Sequence, residues 1–381
     1  MRTAAVIGTG LIGTSVALAL TRRGVQVYLE DHDETHVKTA ASLGAGESGM
    51  PAEPVDLAVI AVPPGLVAAT LLDAQRRGLA RAYTDVASVK AGLQRDAAAQ
   101  GADQASYLGG HPLAGRERSG PLMARADLFE GRPWVLTPSA QTSRDVLNRA
   151  LELIALCGAV PVVMDAADHD RAVALISHAP HLVSALMAAR LEHASEDAAR
   201  ITGTGVRDVT RIAAGDPVLW EAILTSNAEA VADVLDEYAA DLAEAISALR
   251  GLAKSTSDAD AAIAAGAAGQ PGPAAAQGSP DASRDRLVDL LRRGNAGQAR
   301  IPGKHGAPHA AWGSVPVVIS DAPGELARLF AATGAAGVNI EDLLIEHSPG
   351  KAVGLVTLQV APEAADGLAE RLVERGWTVQ K

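Results

Sequence analysis

Apolar positions along the first 165 residues follow two alternating patterns. Short runs rich in Val, Ile and Ala occur at Thr3–Ile7, Val25–Leu29, Leu57–Val62, Ala82–Asp85, Tyr107–Gly109, Trp134–Thr137 and Val160–Met164. Their length and their Gly, Pro or polar flanks predict buried parallel strands. Leu11–Arg22 between them has helical spacing. Strands alternating with helices predict an α/β fold, a doubly wound parallel sheet of Rossmann type. Past Asp165 the strand signals stop. Asp168 to about Leu191 reads as helix interrupted by Pro180, which removes a backbone hydrogen bond and frees the Ile176 carbonyl, predicting a kink. Asp216-Pro217 supplies an N-cap and a first-turn proline. Apolar residues from Trp220 to Leu249 then hold helical spacing for about 30 residues, roughly 45 Å. A helix of that length suits a dimer interface, so the middle region is predicted as an all-helical domain that dimerises. From Val315 the order β-α-β-β-α, closed by a strand at Trp377–Gln380, predicts a ferredoxin-like C-terminal domain. The expected division is 1–165, 166–305 and 314–381.

Composition narrows the class. The 381 residues include 48% hydrophobic and 20% charged, as in a globular protein and unlike a disordered one. Aromatics are only 3%, so the cores must be aliphatic. A net charge of −12, spread along the chain, argues against a nucleic-acid or anionic-membrane partner. The single Cys157 excludes a disulfide framework and a Cys-rich zinc site. Nothing before the first strand resembles a signal peptide, so none is expected, and no uncharged run of about 20 residues is expected to span a bilayer. The expectation is a cytoplasmic protein. Residues 254–280, rich in Ala, Gly, Pro and Ser, read as a flexible insertion, with a further helix at 284–293 and a linker at 301–313.

The chemistry gathers at strand ends. Gly8-Thr9-Gly10-Leu11-Ile12-Gly13 joins a predicted strand to a predicted helix, the context of a dinucleotide fingerprint. Gly8 permits the tight turn, Gly10 lets the backbone approach a pyrophosphate, and Gly13 permits close helix–strand packing. Leu11 and Ile12 present helix N-terminal N–H groups, and Val62 ends a neighbouring strand beside the same crevice. Asp31, at the end of the second strand, suits a ribose 2′-OH and repels a 2′-phosphate, with Glu30 pointing the same way. NAD is therefore the expected cofactor. Two further segments, Asp85–Lys90 with Ser88 and Gly109–Glu117 with His111, follow later strands. Gly109, Gly110 and Gly115 leave room around His111, and an imidazole is the natural base for alcohol oxidation. Ser177 and His181 stand one turn apart on one helix face, and Arg207 and Arg211 share a face as a carboxylate clamp if their segment is helical. His178 and His181 could form half of a metal site, but with no Cys ligand nearby no metal is expected.

GTGLIGTS, DVASVK, GGHPLAGRERSG, SHAPH and GVRDVTRIAAGDPVLW, in this order, resemble the prephenate/arogenate dehydrogenase family of tyrosine biosynthesis. The resemblance covers residues 1 to about 253 and resumes near 284–306. Residues 315–381, with DAPGEL and GVNIED, look like an ACT domain, a regulatory module that often binds amino acids. The resemblance implies NAD-dependent oxidative decarboxylation of prephenate, with arogenate the alternative substrate, in a homodimer regulated by an aromatic amino acid. It makes His111 the catalytic base and Ser88 a residue that orients it beside the nicotinamide. It makes Arg211, supported by Arg207, the ligand of a substrate carboxylate, and places Ser177 and His181 in the substrate pocket. Glu117 and Asp170 match acids that pair with the pocket arginine and gate access. His178 matches without a role. A β-hydroxyacid dehydrogenase would need a lysine in its helical domain, and residues 166–253 contain none. A non-catalytic sensor of NAD and amino acids would have no need of a base at His111.

Overall fold

The computed structural model describes residues 1–114, 120–264, 280–301, 312–347 and 352–380, and divides them into two compact units, Met1–Tyr238 and Ala239–Lys381. In the first unit the strands are β1 (Thr3–Ile7), β2 (Gln26–Glu30), β3 (Glu47–Ser48), β4 (Leu57–Ile60), β5 (Tyr83–Asp85), β6 (Tyr107–Pro112), β7 (Pro133–Thr137) and β8 (Val160–Val163). Their spatial order is β3-β2-β1-β4-β5-β6-β7-β8. Alternation along each strand feeds two cores. Ala4 and Val6 of β1 and Leu57 and Val59 of β4 pack into one, while Ala5, Ile7, Ala58 and Ile60 pack into the other. Both faces are therefore covered, as the continuous apolar runs required. The short edge strand β3 has no apolar residue to announce it. Chain order reverses between β1 and β4, which places the ligand crevice of such a sheet at their carboxyl ends.

The sheet is not wholly parallel. β7 runs antiparallel to β6, whereas β8 is parallel to β7. A parallel return needs a crossover of about a dozen residues or more, usually a helix. Helix Arg144–Leu156 provides one between β7 and β8, but the described part of the β6–β7 connection holds only a short 3₁₀ turn, Pro121–Met123. The antiparallel pairing also carries β6 on to Pro112, past the predicted end at Gly109. His111 thus stands within a strand, opposite Val135, rather than in a loop.

After β8 this unit is helical, with two departures from the predicted pattern. Ala166–Val173 and Ala179–Ala189 are joined by a π-helical turn, Ala174–His178. Pro180 has no N–H for the Ile176 carbonyl, and the widened turn accommodates that loss. The extra residue shifts the register, so Ser177 is exposed while His181 is buried. The two do not share a face as expected. By length and composition Ala166–Ala189 could cross a membrane, which the sequence reading did not anticipate, yet its polar His178, His181 and Ser184 are buried within the unit. The predicted long helix is broken. Pro217–Ser226, capped by the Asp216 carboxylate on the Val218 N–H, stops at Asn227, and a second helix runs over Ala228–Ala264. Asn227 is buried and spends its side chain on tertiary hydrogen bonds described below.

In the second unit the helix continues through 254–264, the start of the predicted flexible insertion, and residues 265–279 lie outside the described ones. Helix Pro280–Gln298 follows, longer than predicted at both ends, with Arg293 paired to Asp241 across the two helices. The C-terminal strands β9 (Gly313–Ser320), β10 (Asp342–His347), β11 (Val353–Val360) and β12 (Thr378–Val379) form an antiparallel sheet in the order β10-β11-β9-β12. Helices Glu325–Ala335 and Pro362–Glu374 complete the predicted β-α-β-β-α-β sequence. Alternate residues Val315, Val317 and Ile319 of β9 meet Val356, Leu358 and Val360 of β11 in its core.

Candidate active site

At the end of β1, Gly8 has φ +98°, and a Cβ there would lie 2.3 Å from the Ala61 carbonyl oxygen and 3.2 Å from Val62 Cγ1. Only glycine lets the turn pass this close to the end of β4. A Cβ on Gly13 would come within 1.9 Å of the Gly8 carbonyl oxygen, so Gly13 sets the approach of helix Leu11–Arg22 to the turn. At Gly10, in contrast, a Cβ would meet nothing within 4 Å. The open space lies at the helix N-terminus, where backbone N–H groups attract phosphates. This cradle fits a dinucleotide pyrophosphate. Gly13→Ala should force the helix off the turn, at about 1–3 kcal/mol for overpacking. An NAD⁺ titration should show affinity at least tenfold weaker, and unchanged affinity would contradict this packing role.

Asp31 closes the turn from the side. Its carboxylate accepts hydrogen bonds from Thr9 N (2.6 Å), Thr9 Oγ1 (3.0 Å) and Asp33 N (3.0 Å), and its side chain is only 6% exposed. Although burial pushes its pKa up, these hydrogen bonds hold it below the usual aspartate value, so it stays anionic beside the fingerprint. Glu30, expected to act alongside it, instead forms a bidentate pair with Arg77 at 2.9 and 3.0 Å. Of the two acids, Asp31 is the one whose carboxylate is bonded to the fingerprint turn.

Beyond the cradle, along the same carboxyl edge, lie Ser88 in the loop after β5 and His111 at the end of β6. His111 Nδ1 is 2.8 Å from His169 Nε2, and His169 Nδ1 is 2.8 Å from Asp170 Oδ1. Asp170 also accepts the backbone N–H of Lys90 and of Ala91, each at 2.8 Å. Burial pushes its pKa up, but His169 and those two N–H groups outweigh this and hold it below the usual value. Asp170 was expected to face the pocket arginine; its carboxylate instead anchors His169 and the loop after β5. Nδ1 of His111 faces His169 rather than Ser88, which is partly exposed. Burial, reinforced by the nearby Lys90 ammonium, holds the His111 pKa well below that of free imidazole.

Beneath His111 lies a second buried group. Lys90 Nζ donates to the Asp85 carboxylate and, at 2.7 Å, to the Gly110 carbonyl, and Tyr107 OH donates to Asp85 at 2.6 Å. Gly109 and Gly110 serve this packing rather than clearing room for His111. A Cβ on Gly109 would lie 2.6 Å from Thr137 Oγ1, and one on Gly110 would lie 2.6 Å from the Asp85 carbonyl oxygen.

Asn227 links the strand edge to the helices. Its Nδ2 donates to the Asp170 carbonyl at 2.8 Å and lies 3.1 Å from His178 Nδ1. His178 must accept there, so it is neutral, and burial lowers its pKa to about 4. The unfolded state, with an ordinary imidazole, binds more protons between about 6.5 and 4, so stability rises with pH across that window. Lowering the pH from 6.5 to 4 should remove on the order of 3 kcal/mol and depress Tm. An Asn227→Ala/His178→Phe variant should show a flatter Tm profile there, and an unaltered slope would remove this cause.

His181 stacks on Trp220 with ring centroids 3.5 Å apart, and Trp220 stands edge-on to His178. A Cβ on Gly215 would lie 2.4 Å from Trp220 Nε1, so the Gly215 turn packs directly on this stack. Arg207 is in helix Thr204–Thr210, Arg211 opens the 3₁₀ turn Arg211–Ala214, and both are exposed. Ser184 Oγ donates to the Val209 carbonyl at 2.7 Å, fastening this segment to the helix bearing His181. Glu117 lies outside the described residues. The structure thus joins His111, His169, Asp170, Asn227 and His178 in one hydrogen-bonded chain, with the Trp220–His181 stack against it. The sequence reading did not anticipate His169, Lys90, Asp85, Tyr107 or Asn227 in the site. The one available signal was that Asp85 and Lys90 bracket Ser88 in a strand-end loop.

A dinucleotide cradle, an acid suited to an unphosphorylated ribose and a buried imidazole chain on one sheet edge define an NAD-dependent oxidoreductase with a helical second part. Two family models match the chain. The nucleotide-binding domain of prephenate dehydrogenase matches residues 16–163, and its dimerization domain matches residues 165–261. A Streptomyces niveus protein described as "Probable prephenate dehydrogenase NovF" is 43% identical over 99% of both chains. A crystal structure of Aquifex aeolicus prephenate dehydrogenase with hydroxyphenyl propionate and NAD⁺ is 25% identical, with TM-score 0.61, covering 79% of this chain and 98% of that one. Synechocystis arogenate dehydrogenase is 28% identical, with TM-score 0.59, over 78% of this chain and 99% of that one. The chain belongs to the prephenate dehydrogenase family.

Proposed function

We propose that this protein oxidises prephenate with NAD⁺ and releases CO₂ and 4-hydroxyphenylpyruvate, with His111 as the general base. The observation that carries this reading is the His111 imidazole at the end of β6, held through Nδ1 at 2.8 Å from His169 Nε2 on the same sheet edge as the fingerprint. NAD⁺, when bound, supplies the hydride acceptor. His111 Nε2 takes the proton of the ring hydroxyl as that carbon loses hydride. The bond to the ring carboxylate then breaks, CO₂ leaves, and its electron pair completes the aromatic ring while the ring oxygen takes back the proton from His111 Nε2. Gly8, Gly10, Leu11, Ile12, Gly13, Val62 and Asp31 hold the cofactor, and Ser88 lies beside the nicotinamide. Arg211, assisted by Arg207, takes a substrate carboxylate, with His181, Ser177 and Glu117 around the pocket. The division into NAD-binding (1–165), substrate and dimerisation (166–305) and regulatory (314–381) parts follows these roles.

The alternative substrate, arogenate, has an amine in place of the side-chain keto group, and the arogenate dehydrogenase among the similar structures keeps it open. Purified protein should be assayed with each substrate against NAD⁺ and NADP⁺ at 340 nm. Prephenate with NAD⁺ should give the highest kcat/KM, and no NADH from either substrate would refute the activity. A homodimer is supported by the dimerization-domain match and by the exposed Leu175, Ile176, Leu186 and Met187 on one helical stretch. We assign the C-terminal unit's β-α-β-β-α-β domain as an ACT module that binds an aromatic amino acid. Calorimetry of the full chain with tyrosine, phenylalanine and tryptophan should detect binding of one of them, and no heat from any would refute this.

A further inference from the structure

Three groups in a row determine which nitrogen of His111 is free. Asp170, an anion fixed by two backbone N–H groups, lies 2.8 Å from His169 Nδ1, so that nitrogen must carry a proton. In neutral His169 the other nitrogen, Nε2, is then a bare acceptor. It faces His111 Nδ1 at 2.8 Å, with the two rings nearly perpendicular at 77°, so His111 Nδ1 must be the donor. The remaining nitrogen, His111 Nε2, makes no hydrogen bond among the described residues and keeps its lone pair.

We propose that His169 is a positioning residue that, anchored by Asp170, locks His111 in the Nδ1–H tautomer and leaves Nε2 as the proton acceptor. Free imidazole has no such constraint and can carry its proton on either nitrogen. The chain also supports the protonated state. When Nε2 accepts the substrate proton, the positive His111 ring donates through Nδ1 to His169, whose far side is held by the Asp170 carboxylate. No proton need leave His111 for this stabilisation, as in carboxylate–histidine arrangements where the acid orients and remains ionised. His169 is fully buried and Asp170 nearly so, and Lys90 and Ala91 hold Asp170 from the opposite wall, so the chain has no freedom to reorient. This deepens the reading of His111 as the base and rests on it.

The test uses the full-length protein with ¹⁵N-labelled histidine. In the wild type at pH 8, His111 should show a protonated Nδ1 and an unprotonated Nε2. His169→Leu removes the acceptor, so His111 should lose that tautomer preference and kcat should fall about 100-fold. The KM for prephenate should stay within threefold, and NAD⁺ affinity should be unchanged. His169→Gln offers a carbonyl oxygen near the former Nε2 and should recover at least tenfold of the lost kcat together with the tautomer. An Nε2–H tautomer in the wild type would overturn the proposal. So would variants with wild-type kcat, or equal losses in Leu and Gln with the tautomer unchanged. If the wild type forms no NADH from prephenate or arogenate, the activity is refuted instead, and the tautomer spectrum still decides the positioning role.

Discussion

His111→Asn should lower kcat for prephenate by about 10⁴-fold, the upper range for losing a positioned base, while NAD⁺ affinity stays within twofold. The amide fills similar space and can still hydrogen-bond toward His169, so the sheet edge should survive. It cannot take a proton at neutral pH, however, and the ring hydroxyl loses its acceptor. Steady-state kinetics with an NAD⁺ titration separate the two effects. Residual turnover above a few per cent would mean that another group takes the proton. The wild-type kcat should be flat through neutral pH and fall only in acid below the ordinary imidazole range, because burial and the Lys90 ammonium keep His111 neutral there.

The second large effect should come from Lys90→Met. Lys90 is fully buried and ties the Asp85 carboxylate and the Gly110 carbonyl together under His111. Burial lowers its pKa and the Asp85 anion opposes that shift, so each partner is tolerable only in the presence of the other. Removing the ammonium leaves a buried carboxylate with only neutral donors, Tyr107 OH and the Ala87 N–H. Breaking such a pair costs about 3–5 kcal/mol, which in a unit of this size lowers Tm by roughly 10 °C. Differential scanning calorimetry should show that loss. Lys90→Met/Asp85→Leu, which removes both charges, should regain most of it, as replacement of a whole buried pair by apolar groups often does. A Tm for Lys90→Met equal to wild type would show that the pair contributes nothing.

Much of the fold was legible because its signals are local. The glycine spacing of residues 8–13 and the seven apolar runs each depend on neighbours in sequence, as does the β-α-β-β-α-β pattern after Val315. The antiparallel reversal of β7 was not legible, because it depends on what fills a connection rather than on the strand itself. Nor was the break at Asn227. By periodicity alone the helix continues through it, and what stops it is a set of hydrogen bonds to Asp170 and His178, 57 and 49 residues away in the chain. Ser177 and His181 fell on one face only if the helix was regular, and the π turn removed that condition.

The site divides in the same way. Gly8, Gly10, Gly13 and Asp31 could be read directly, since a phosphate turn is built from consecutive residues and the strand next to it. His111 stood out as a histidine at a strand end. The partner of its ring nitrogen is 58 residues away, and His169 in sequence was one of ten histidines beside two aspartates. Burial separates Lys90 from the exposed Lys38 and Lys254, and burial belongs to the folded chain. The sequence by itself determined the class of sheet, the cofactor turn and the candidate base, because these follow from short-range sterics and periodicity. Only the tertiary structure decided which carboxylate meets which imidazole and which nitrogen is left open, because those contacts arise when distant segments are desolvated together.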